Sequence, residues 1–179
     1  ASADKTIRLW NVGFAPVVDK ISFGSESTAL NAEISLAGDR IAKIGKDNNI
    51  KLIDLKSKQT IKEVPYQNPS PSGLVFGRDN IVYYWGVNTH TLHDLDGEKE
   101  IVFDIDAPPI QSVAFNQEKG FFALNTGKNI FITNSDGKTK ESFTFKGYSD
   151  SSKTLSFDPK GQTLAFLESR QSNNVMLRK

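Results

Sequence analysis

The sequence predicts an all-β chain assembled from repeated four-stranded antiparallel units. Three observations carry this. Apolar and polar residues alternate over stretches of four to seven residues, and no run holds the i, i+3, i+4, i+7 spacing of an amphipathic helix. The turn-forming segments GDR, KDNN, GRDN, LDGE, NQEKG, SDGK and DPKG interrupt those stretches at intervals of about ten residues. Two independent markers then recur with one longer period. Ile7, Ile50, His90, Ile130 and Val175 stand 43, 40, 40 and 45 residues apart, and Leu36, Phe76, Phe115 and Phe157 stand 40, 39 and 42 apart.

The register of the markers places each element. A third and a fourth strand are expected at 6–12 and 16–23, followed by complete units over 30–67, 70–106 and 110–146. A last unit has strands at 153–157, 162–167 and 173–178. That makes seventeen strands, or about four and a quarter units. The corresponding segments are 1–25, a partial unit; 26–67, 68–106 and 107–147, complete units; and 148–179, a unit without its fourth strand.

Several residues in this frame carry a family resemblance. TIRLWNV, with Asp4 just before it, resembles the third strand of a WD repeat. LSFDPKGQTLAF resembles the first two strands of one, with the D-P-x-G turn between them. A four-stranded unit of about 40–45 residues is the size of a WD-repeat β-propeller blade. The resemblance implies blades that form part of a seven-bladed ring. It also implies a hydrogen-bonded set in each blade of His, Ser or Thr, Asp and Trp. Here Ser2, Asp4 and Trp10 match that set, and Asp47 keeps the turn Asp in the second unit. Val87, Gly127 and Ser172 replace it afterwards, and Ile53, His93, Thr133 and Leu177 or Arg178 stand near the Trp position. No Gly-His pair occurs, so apolar packing between blades is expected to supply most of the stability.

Charge and composition bound the function. Lys plus Arg number 22 against 21 Asp plus Glu, with no basic stripe to point to nucleic acid. No apolar run approaches the roughly 20 residues that span a bilayer. Cysteine is absent, which removes disulfides, thiolate metal sites and a Cys nucleophile. The two histidines, His90 and His93, stand three apart in an expected strand and so face opposite ways, which speaks against a shared metal. Asp94, Asp96 and Asp104 lack the spacing of a Ca²⁺ loop and read as turn residues. No hydrolase, zinc-protease, P-loop or dinucleotide motif is present. No enzyme activity, metal or cofactor is expected.

What the resemblance implies is a scaffold that binds proteins or peptides through the loops of a propeller rim, within a larger complex. The candidate rim residues are Lys5, Asn48, Trp85, Asn88, Gln111, Lys128, Lys153 and Asn173. In YYWG, Tyr83 and Trp85 share one strand face and Tyr84 takes the other. Trp85 therefore reads either as core or as a partner-binding anchor. The strand accounting reads the chain as the C-terminal part of a larger propeller. A missing N-terminal part, or another chain, is expected to cover its open faces. A cytoplasmic or nuclear setting goes with this reading. The alternative lies in LSFDPKGQTLAFLESRQSNNVMLRK, which also resembles TolB-like and peptidase-associated propellers. Those would gate or position substrate for an enzyme domain outside this chain, in a periplasmic setting for the TolB-like case.

Overall fold

The computed structural model of the protein describes residues 6–10, 17–22, 29–66, 71–86, 89–97, 99–106, 109–144, 155–167 and 175–179. All regular structure among them is strand, apart from a 3₁₀ turn over Arg78–Asn80. The chain forms two compact units, Ala1–Gln67 and Asn68–Lys179.

The first unit holds β1 (Thr6–Trp10) and β2 (Val17–Ser22), an antiparallel pair. It also holds the four-stranded sheet β3 (Ala29–Ile34), β4 (Arg40–Gly45), β5 (Asn49–Asp54) and β6 (Thr60–Pro65), whose strands pair in chain order. Ile41 and Ile53 are buried on one face of that sheet, and Ala42, Ile44, Ile50 and Leu52 on the other.

The second unit has three sheets. β7 (Pro71–Phe76), β8 (Val82–Gly86), β9 (Thr91–Asp94) and β10 (Glu100–Val102) form one; β11 (Ser112–Asn116), β12 (Phe121–Asn125), β13 (Asn129–Asn134) and β14 (Thr139–Thr144) form the next. The third contains β15 (Leu155–Phe157), β16 (Leu164–Leu167) and β17 (Val175–Arg178). Every pairing is an antiparallel meander, and the described strands number seventeen, in sheets of two, four, four, four and three. β11 runs beside β7 on one side and β15 on the other, so the three sheets stand face to face.

Alternation along each strand feeds two separate cores. Val113, Phe115, Phe122, Leu124 and Phe131 pack with Val75, Tyr83, Trp85, Leu92, Ile101 and Phe103 of the preceding sheet. The residues between them, Ala114, Ala123, Ile130 and Ile132, point the other way and pack with Leu155, Phe157, Leu164 and Phe166. Phe122 is fully buried, with ring centroids of Phe115, Tyr83 and Phe103 at 4.7, 5.3 and 5.8 Å. Burying one such side chain contributes about 1.5–3 kcal/mol, and edge-on ring pairs add to it.

Two positions differ from the sequence reading. Leu36 is not the strand-end marker; it is 77% exposed in the turn after β3. Ile34 holds that place, pairing with Ile41 as Phe115 pairs with Phe122 and Phe157 with Leu164. His90 precedes β9 rather than lying in it, while His93 stacks on Tyr84 with centroids 5.2 Å apart. A feature not foreseen is a register shift at one recurring place, between Leu9 and Trp10, Leu52 and Ile53, and Ile132 and Thr133. Bulges of this kind increase local twist.

Candidate interaction surface

The turns after the first strands of three sheets share one device. Ser35 Oγ accepts hydrogen bonds from the backbone N–H groups of Asp39 and Arg40, and Asn116 Oδ1 accepts from Lys119 N. Asp158 Oδ1 accepts from Gln162 N and Thr163 N, both at 2.6 Å. A short polar side chain at the end of the strand or just past it thus folds the turn back on itself. The Thr163 N–H, with those of neighbouring turn residues, holds the Asp158 carboxyl below its ordinary range.

In the second unit these turns are tied to one another. Arg78 donates from Nε to the carbonyl of Gln117 (3.1 Å) and from Nη2 to that of Glu118 (2.6 Å). Asn116, 2% exposed, donates from Nδ2 to the carbonyl of Gly161 (2.9 Å) in the following turn. Sequence reasoning missed both residues, because partners about forty positions away leave no local pattern. The polar residue after two of the first-strand markers, Asn116 after Phe115 and Asp158 after Phe157, was the available signal.

Of the positions expected to form a rim, Asn48, Gln111 and Lys128 are described at the opposite end of their sheets. Lys5, Asn88, Lys153 and Asn173 lie outside the described residues, as do Ser2, Asp4 and the side chain of Trp10. Asn48 is exposed in the β4–β5 turn with φ of 60°, a left-handed conformation Asn tolerates. Its carbonyl accepts from Tyr66 N. Lys128 is exposed in the β12–β13 turn. Gln111 is half-buried at the start of β11, where its backbone N–H donates to the Asn125 carbonyl. Its Oε1 is buried with no hydrogen-bond partner among the described residues.

Trp85 is not a surface anchor. It is 4% exposed within the aromatic core, and its ring lies over Gly73, where any Cβ would collide with the indole. The alternation that put Tyr83 and Trp85 on one face thus directs both inward. Tyr84, on the opposite face, is equally buried.

Asp47 takes part in a charged row across the first unit's sheet. Register places Ala32, Lys43, Lys51 and Glu63 side by side. Lys51 Nζ lies 3.2 Å from both Asp47 Oδ2 and Glu63 Oε1. Burial opposes the Lys51 charge, yet hydrogen bonds to Glu63 and Asp47 raise its pKa above the ordinary value. Lys43 is completely buried; desolvation lowers its pKa, and Asp47 partly offsets that.

A cleft of about 150 Å³ opens between the last two sheets. Phe121, Phe143, Phe157 and Leu164 line it, with Lys119, Arg178, Lys179 and Glu141. Arg178 pairs with Glu141 and lies over the Phe143 ring, 4.3 Å from its centroid. No group of three or more potential metal ligands is gathered among the described residues. No helix among those residues is long and apolar enough to cross a membrane.

The chain matches no protein-family model and no curated protein.

Proposed function

We propose that this chain is a propeller-type interaction module, without enzyme activity of its own, that binds protein or peptide partners through the loops at one end of its sheets, as a subunit of a larger assembly. The observation that carries the reading is the asymmetry of the second unit. At one end, Arg78 and Asn116 bind neighbouring turns together. At the other, Lys128 alone is exposed in a turn whose Thr126 and Gly127 are buried, and Gln111 beside Gly127 has a buried Oε1 with unused accepting capacity among the described residues. Unused hydrogen-bonding capacity next to an exposed lysine favours polar recognition. The propeller reading is supported by the side-by-side first strands β7, β11 and β15 and by the two apolar layers between successive sheets.

The test is crosslinking of the tagged chain to co-purifying proteins, comparing wild type with Gln111→Ala/Lys128→Glu at the rim and Arg78→Ala at the other end. A partner lost only with the rim variant supports the reading. Equal capture by all three proteins overturns it.

A further inference from the structure

Two dipeptides of this chain, Asp96-Gly97 and Asp136-Gly137, carry the chemistry of spontaneous backbone isomerisation. Glycine is the neighbour that matters, because without a Cβ its amide nitrogen can reach the carboxyl of the preceding side chain. That nitrogen attacks Cγ of the aspartate, the N–H hydrogen and the carboxyl hydroxyl leave as one water, and a succinimide ring closes. A second water then opens the ring. Hydrolysis at Cγ restores aspartate, whereas hydrolysis at the main-chain carbonyl reroutes the backbone through the side chain as isoaspartate. The net change is an isomerisation, with no atom gained or lost.

The two dipeptides occupy matching turns in opposite surroundings. They lie between β9 and β10 and between β13 and β14. Each glycine has a positive φ, +72° at Gly97 and +84° at Gly137. Each also donates its N–H three residues back, Gly97 to the Asp94 carbonyl (3.2 Å) and Gly137 to the Asn134 carbonyl (3.1 Å). The likeness ends there. Asn134 Oδ1 accepts from Asp136 N (3.1 Å) and from Lys138 N (2.9 Å). The Gly137 carbonyl accepts from Asp104 N (3.3 Å), and that of Ser135 from Lys99 Nζ (3.3 Å). Gly137 is buried, and a Cβ on it would collide with the Val102 carbonyl of the preceding sheet. Asp96 and Gly97, by contrast, are both exposed, and no atom lies within 4 Å of the Cβ position of Gly97. Anchorage of that turn ends at Leu95, which is buried and donates its N–H to the Val82 carbonyl (2.7 Å).

We propose that Asp96 is the site of isoaspartate formation in the folded protein, and hence a methyl-accepting site for a protein isoaspartyl methyltransferase, while its turn holds Asp136 unreactive. Ring closure requires the glycine nitrogen to leave its hydrogen bond and swing toward the carboxyl, so the rate follows local opening of the turn. At Gly137 that motion also works against the bonds at Asp136 N, Lys138 N, the Gly137 carbonyl and the Ser135 carbonyl, and against the Val102 contact. Breaking any two of those bonds places the rate at Asp136 at least about tenfold below that at Asp96.

The test is to age the 179-residue chain at neutral pH for several weeks, folded and in concentrated urea, and then digest it with trypsin. The dipeptides fall in separate fragments, 79–99 and 129–138. An isoaspartyl methyltransferase with labelled S-adenosylmethionine reports each fragment, and deamidated asparagine is set aside by its added mass. In the folded chain, label in 79–99 should exceed that in 129–138 at least about tenfold, and in urea the two should label alike. Asp96→Glu would have to close a larger ring and should remove the label from 79–99. Three results overturn the proposal in favour of no structural selection: equal or greater label in 129–138 of the folded chain, no label in 79–99, or the same excess persisting in urea. Label retained in Asp96→Glu overturns the assignment to Asp96.

Discussion

Gly161→Ala tests whether adjacent turns are mechanically coupled through Asn116. Gly161 has φ of +61°, and a Cβ there would fall on the Asn116 side-chain amide. Gly97 has φ of +72° with no atom within 4 Å of its would-be Cβ. The two glycines thus share a backbone requirement and differ in surroundings. Left-handed strain for Ala costs about 1–2 kcal/mol at either site. At Gly161 the buried amide must also move. It then gives up its bonds to the Gly161 carbonyl and the Lys119 N–H, which costs about 1–3 kcal/mol more.

Urea denaturation should therefore place Gly161→Ala about 1–3 kcal/mol below Gly97→Ala at equal m-value. In an Asn116→Ala background the added methyl enters vacated space, and the Gly161→Ala effect should shrink to the backbone strain of about 1–2 kcal/mol. Equal losses at the two glycines, or strict additivity in the double-mutant cycle, would refute the coupling.

The remaining expectations concern the core and one carboxylate. Phe122→Ala removes the ring at the centre of the aromatic cluster and should destabilise by about 3–5 kcal/mol in denaturant melts; a loss below about 1 kcal/mol would contradict the packing. In a Trp10→Phe variant, emission comes from Trp85 alone and should be blue-shifted and poorly quenched by acrylamide, since the indole is buried. Solvent-exposed emission would return Trp85 to the surface. The folded pKa of Asp158 is depressed, so its contribution is full above the ordinary carboxylate value of about 3.9 and is lost as pH falls through the folded value. Asp158→Asn should flatten that acid limb in pH-dependent melts, and an unchanged limb would remove Asp158 as its source.

The repeat was legible in the sequence because local signals recur at one fixed period. Turn chemistry and period-two alternation each span fewer than ten residues, and with the marker period of about forty residues they placed seventeen strands in their sheets. What failed needed knowledge of neighbours. Ile34 and Leu36 continue one alternation, and only the Ser35 turn cap stops the strand between them. Trp85 sits on the face its alternation assigned, but whether that face meets solvent or another sheet is a tertiary fact. The rim could be located only as turns, since side-chain access and the Arg78 and Asn116 clasps arise between units of the repeat. Lys43 shows the limit most clearly. In RIAKIG it reads as the polar member of an alternating strand, yet β4 is buried on both faces, where period two no longer separates inside from outside. Burying that ammonium demands counter-charge nearby, and Asp47 is among the groups acting on it. The turn Asp is thereby linked electrostatically to a lysine four residues earlier on β4.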